Sequence, residues 1–77
     1  MGITTAERLQ ELRTLTTSGK ARDIRVAARL TQSEIARSVG VHYSAISRWE
    51  SGEHLPTGES ALRYAALLER LGSAVSV

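Results

Sequence analysis

The spacing of apolar positions divides the chain into five amphipathic segments, and three of the four turns between them carry Gly. In the first, residues 4–17, Leu9, Leu12 and Leu15 recur every third residue, while Glu7, Arg8, Glu11 and Arg13 take the other side. Thr4 and Glu7 have the spacing of a capping box, and Ser18-Gly19 supplies a left-handed stop. Residues 20–30 place Ala21, Ile24, Ala27 and Ala28 inward at helical spacing. A second capping box, Thr31-x-x-Glu34, opens a helix whose Ile35 and Val39, four apart, share one face with Ala36 beside them. Gly40 turns the chain, and a further helix from about Tyr43 to Glu50 turns Val41, Ala45, Ile46 and Trp49 inward. Ser51-Gly52 ends it. The last helix begins at Pro56-Thr57-Gly58-Glu59 with Thr57 as its cap. Two stripes run along it: Ala61, Leu62, Ala65 and Leu68, and, offset from these, Tyr64, Leu67 and Leu71. The pattern predicts an all-α domain.

Between Gln32 and Gly52 the pattern is that of a helix-turn-helix: a short helix, a tight turn at Gly40 and a second helix. Ala36 is small where the second helix crosses closest. The six apolar or small positions of this stretch, with a Gly at the turn, distinguish it from two amphipathic helices that merely adjoin.

Leu30-Thr31-Gln32, Ile35-Ala36, Val39-Gly40-Val41, Ile46-Ser47-Arg48-Trp49-Glu50 and Ser51-Gly52 together resemble the DNA-binding domains of lambda-repressor and Cro-type phage regulators, the XRE family. The resemblance extends from about residue 21 to residue 71 and leaves out the N-terminal segment. It implies a small lambda-repressor-like bundle of about five helices that reads the DNA major groove with the second motif helix. It also implies an ion pair between Arg25 and Glu50, tying the helix before the motif to the reading helix. At Arg29 the family commonly has Gly, so the usual glycine-ended turn is in doubt there and a basic side chain is added near the DNA backbone. Where this chain has Glu53 and His54, many relatives carry Lys or Arg, which weakens the expected phosphate clamp.

Within that frame, Tyr43, Ser44, Ser47 and Arg48 occupy one outward face of the reading helix and are the expected base contacts. Arg48 suits the role best, because a guanidinium bonds bidentately to guanine O6 and N7. Thr31 and Gln32, at a helix end whose dipole favours an anion, are expected to face a phosphate. His42, at the cap of the reading helix, and the backbone N–H of Gly52 are expected to do the same. For each of these residues the alternative is a solvated surface position.

Composition narrows the function. The chain of 77 residues makes one domain with a marginal core. With no cysteine and only two histidines, neither disulfides nor a metal site is expected. The absence of a long apolar run and of a signal pattern points to a cytoplasmic protein without membrane contact. Net charge is only +2, yet residues 20–48 carry six basic side chains against two acidic ones, as befits a duplex binder. No nucleophile–base pair, carboxylate cluster or phosphate-binding glycine loop suggests catalysis, so no enzyme activity and no cofactor are expected.

The domain reading is an N-terminal helix extension over 1–19, the helix-turn-helix domain over 20–72 and a short tail over 73–77. The leucine stripe of the first helix is expected to enlarge the core, the alternative being a dimerisation or partner surface. Tyr64, Leu67 and Leu71 are a candidate subunit interface. The function these observations favour is a sequence-specific double-stranded DNA-binding transcription regulator, Cro- or repressor-like, acting as a homodimer on a palindromic operator without a small-molecule ligand. The competing class is a protein-interaction module, such as the antitoxin of a toxin–antitoxin pair.

Overall fold

The computed structural model describes residues 4–75, with side chains through residue 72. Five helices make up the described residues: α1 (Thr5–Thr17), α2 (Lys20–Ala27), α3 (Gln32–Val39), α4 (Tyr43–Ser51) and α5 (Gly58–Val75). Both capping boxes form. Thr4 and Thr31 accept the N–H groups of Glu7 and Glu34, whose carboxylates bond back to the cap backbones.

The core lies where α5 packs across α1, α2 and α3, with α4 closing against α1 and α3. Its buried side chains come from every helix: Leu12, Ala21, Ile35, Ala36, Val39, Ile46, Trp49, Ala61, Tyr64, Ala65 and Leu68. Leu9 and Leu15 pack against this cluster from the flanks of Leu12, so the α1 leucine stripe enlarges the core rather than standing free. An exposed bridge from Arg8 to Glu69, 3.1 Å long, also joins α1 to α5.

Three expectations are corrected here. Tyr64 does not lie on a subunit surface: it is among the most deeply buried side chains, its ring 5.1 Å from that of Trp49. Leu67 and Leu71, beside it on the same stripe, are half-buried and also pack on the core. The reason is geometric, since α5 is surrounded by three helices and buries a wider arc than one stripe. Second, α5 continues through Gly72 to Val75, into the stretch read as a tail. Gly72 lies inside the helix, and a β-carbon added there would lie 3.8 Å from Ile24 Cδ1. Residues 1–3 and 76–77 lie outside the described residues.

Third, α2 ends at Ala27, and the turn placed in doubt at Arg29 forms regardless. Arg29 adopts φ 60, the one described non-glycine residue with positive φ. Its N–H donates to the Val26 carbonyl at 3.0 Å and that of Leu30 to the Arg25 carbonyl at 3.2 Å. That is a Schellman turn completed with arginine where glycine is the usual residue.

Candidate nucleic-acid interface

The α3–α4 unit is held from behind by a shared carboxylate. Glu50, in the last turn of α4, accepts Arg25 Nε at 2.6 Å and Arg25 Nη2 at 3.0 Å. It also accepts Gln32 Nε2 at 3.1 Å, while Arg25 Nη1 donates to the Leu30 carbonyl at 2.9 Å. One ion pair therefore joins α2, the α2–α3 turn, the start of α3 and the end of α4. The Arg25 and Glu50 side chains are only 13% and 3% exposed, so the pair is buried and its geometry is what offsets desolvation. The bonds to Glu50 hold the Arg25 guanidinium above its ordinary pKa against an opposing contribution from burial. Tyr64 lies alongside. Burial, with the Glu50 charge adding to it, pushes the Tyr64 phenol above its ordinary value, and Arg25 opposes the shift. The Tyr64 hydroxyl is buried without a hydrogen-bond partner among the described residues.

From the other end, Arg63 of α5 donates through Nε to the Val39 carbonyl at 2.8 Å, satisfying an orphan carbonyl at the close of α3. Gly40 follows with φ 86, and the N–H groups of Gly40 and Val41 both return to the Ala36 carbonyl, at 2.8 and 3.0 Å. Arg63 contributes to this turn across the molecule, and nothing local in the sequence marks it.

With its inner face fixed, α4 turns Tyr43 and Arg48 to solvent and leaves Ser44 and Ser47 half-exposed. These four side chains fall within one arc of about 140°, given 100° per residue. The guanidinium of Arg48 makes no ion pair or side-chain hydrogen bond among the described residues, so its donors are free. At the start of α4, His42 Nδ1 accepts the Ser44 N–H at 3.2 Å and lies 2.9 Å from the Ser44 hydroxyl. His42 is thus a working cap, and the accepting Nδ1 places the ring hydrogen on Nε2. The His42 and Tyr43 rings lie 4.7 Å apart, so the two flank the same edge of the helix.

Two expected phosphate contacts are corrected by the hydrogen bonding. The Gln32 side chain is directed inward to Glu50 instead of outward to a phosphate, because that carboxylate is the nearest strong acceptor. The Gly52 N–H donates to the Trp49 carbonyl at 3.2 Å, closing the left-handed cap of α4. It is therefore spent within the chain. Thr31 stays exposed, with its hydroxyl oxygen accepting the Glu34 N–H at 3.0 Å and its own N–H donating to the Glu34 carboxylate.

Beside these residues lies an open cleft of about 570 Å³. Arg22, Arg25 and Arg29 line one side, Thr31 to Ser33 the second, and Tyr43 the edge shared with α4. Periodicity along the chain does not mark this cleft, because its lining comes from separate elements. Among the described residues no group of His, Cys, Asp and Glu could hold a metal, and no helix is long and apolar enough to cross a membrane.

A family model described as Helix-turn-helix matches residues 22–71. No curated protein and no solved structure matches the chain.

Proposed function

The chain belongs to this helix-turn-helix family of lambda-repressor and Cro-type DNA-binding domains, and from that premise we propose that it is a sequence-specific transcription regulator acting on double-stranded DNA. The observation that carries the proposal is the division of labour on α4. Its inner face is anchored by Ile46, Trp49 and the Glu50 carboxylate, while its outer face presents Tyr43, Ser47 and an unpaired Arg48. A helix fixed on one side and polar on the other can enter the major groove without rearranging. Arg48 reads a guanine, and Tyr43 and Ser47 contribute neighbouring base or methyl contacts. Ser44 contributes less, because its hydroxyl is engaged with His42.

A single reading helix contacts few base pairs, so two copies on a palindrome give the affinity that regulation requires. Half-sites one helical turn apart place two such helices about 34–36 Å from each other. A domain 33 Å in its longest dimension fits that separation side by side. Repression by occupying a promoter is the simplest outcome for a domain of this kind.

Selection from a random duplex library followed by sequencing tests the proposal. Enrichment of a two-fold motif containing a G·C pair lost on Arg48→Ala is the expected result. Equal retention of all sequences, or no retention, overturns it, and co-purification of a small partner protein without DNA binding favours an interaction module instead.

A further inference from the structure

We propose that Arg63 of α5 is a positioning residue that sets base preference: through the Val39 carbonyl it fixes where the reading helix begins, a role that rests on the DNA-binding reading above. The helix α4 is anchored unevenly along its length. Its buried residues, Ile46, Trp49 and Glu50, lie from the fourth position onward, and Glu50 is further tied to Arg25 and Gln32. The first turn has no such anchor: Tyr43 is exposed, and Ser44 and Ala45 are only half-buried. Directly before it stands the turn from Val39 to His42.

The Arg63 guanidinium holds that turn. Its Nε donates to the Val39 carbonyl at 2.8 Å, and its Nη2 lies 3.6 Å from where a β-carbon on Gly40 would stand. The cation therefore sits at the C-terminal end of α3, where the helix dipole favours it. Glu59 is not what places it there, because that bridge is 3.7 Å long and the carboxylate side chain is 87% exposed. Only Val41 and His42 separate the Gly40 cap from Tyr43. A shift of the Val39 peptide is passed to the first turn of α4 with little chain to absorb it. Without Arg63 the last turn of α3 frays and α4 pivots about its Ile46–Glu50 end. Such a pivot moves Tyr43 and Ser44 furthest and Arg48 least. In this role Arg63 touches neither base nor phosphate; it acts through the backbone.

The test compares wild type with Arg63→Met, which keeps the aliphatic stem and removes the donor, with Arg63→Gln and with Arg63→Lys. Tyr43→Ala and Arg48→Ala mark the two ends of the reading helix. Each variant is put through selection from a random duplex library. Its affinity for the duplex selected by wild type and for an unrelated duplex is then measured over a salt series, at a temperature where denaturation shows it folded. Arg63→Met is expected to lose preference at the base pairs that Tyr43→Ala blurs and to keep the one that Arg48→Ala blurs. The ratio of selected to unrelated affinity falls by about fivefold to tenfold, the size of one weakened base contact. The slope of log affinity against log salt holds, because no phosphate-bound cation is lost. Arg63→Lys, which keeps a cationic donor, stands between wild type and Arg63→Met. Amide exchange speeds up at Gly40 and Val41, whose N–H groups bond to the Ala36 carbonyl, but not at Gly52 beyond the far end of α4. Unchanged base preferences in folded Arg63→Met and Arg63→Gln overturn the proposal and leave the DNA reading standing, as does equal blurring at every position. A slope shallower by about 0.9 also overturns it, since Arg63 would then be a phosphate contact. Failure of wild type to select any duplex defeats the DNA reading itself and this role with it.

Discussion

Two left-handed turns bound α3, and they are built from opposite materials. At Gly40 the backbone reaches φ 86 with glycine; at Arg29 it reaches φ 60 with a long side chain. Both are closed by backbone hydrogen bonds to the preceding helix. At Gly40 the surroundings are occupied by the Arg63 guanidinium, which holds the Val39 carbonyl, and geometry is all that is required of the residue. At Arg29 the turn opens onto a basic cleft, which its side chain lines together with Arg22 and Arg25.

The largest disturbance of this arrangement is expected behind the arginine turn. Arg25→Ala or Glu50→Ala alone leaves a buried charge without its partner and should cost about 3–5 kcal/mol. Because Arg25 also holds the Leu30 carbonyl, its loss loosens the turn itself. The double variant should lose clearly less than the sum, and a chemical-denaturation cycle measures the coupling. Additive losses would mean that the two side chains are not energetically coupled.

Gly40→Ala tests the other turn. An added β-carbon meets only Arg63 Nη2, at 3.6 Å, so the effect is conformational and not a clash. A cost of about 1–2 kcal/mol is expected, seen as a fall in melting temperature. Arg29→Gly should move the opposite way by about 0.5 kcal/mol, the relief of strain exceeding the entropy of the freer unfolded chain. Two variants of opposite sign at matching positions would sharpen the contrast; equal signs would break it.

The smallest effect concerns pH at the arginine turn. The Glu34 carboxyl is held below its ordinary value, first by the Thr31 backbone N–H and then by the Thr31 hydroxyl. A depressed folded value means that its contribution is fully present above the unfolded value, about 4.3, and is lost as pH falls through the folded one. Glu34→Gln, which keeps a capping side chain but does not titrate, should flatten this part of the stability–pH curve. A curve of unchanged shape would show that the exposed box contributes nothing measurable.

What was legible in the sequence was local or periodic. Thr4 with Glu7 and Thr31 with Glu34 lie three residues apart, and each box closes within one helical turn. Ile35, Ala36 and Val39 declare their face through spacing, and all three are buried. The Arg25–Glu50 contact was implied by the family resemblance, since nothing in a separation of 25 residues announces it. What was hidden depends on several elements meeting. Periodicity separates the two stripes of α5 but does not reveal that three neighbouring helices cover both, which is why Tyr64 was misplaced. Gln32 and Gly52 each have two possible uses for a polar group, and only the folded positions of Glu50 and the Trp49 carbonyl decide between them. Arg48, by contrast, was correctly placed on the outer face because the inward partners Ile46 and Trp49 leave it nowhere else.

The sharing of Glu50 also limits the routes by which this sequence can change. Gln32 can be replaced first, because its departure leaves the ion pair intact and the carboxylate still met by Arg25. Arg25 and Glu50 cannot follow singly without passing through a chain that holds a lone buried charge. Descendants of this sequence should therefore retain the two together or lose them together, whatever becomes of Gln32. The carboxylate couples mutations as well as elements of the fold.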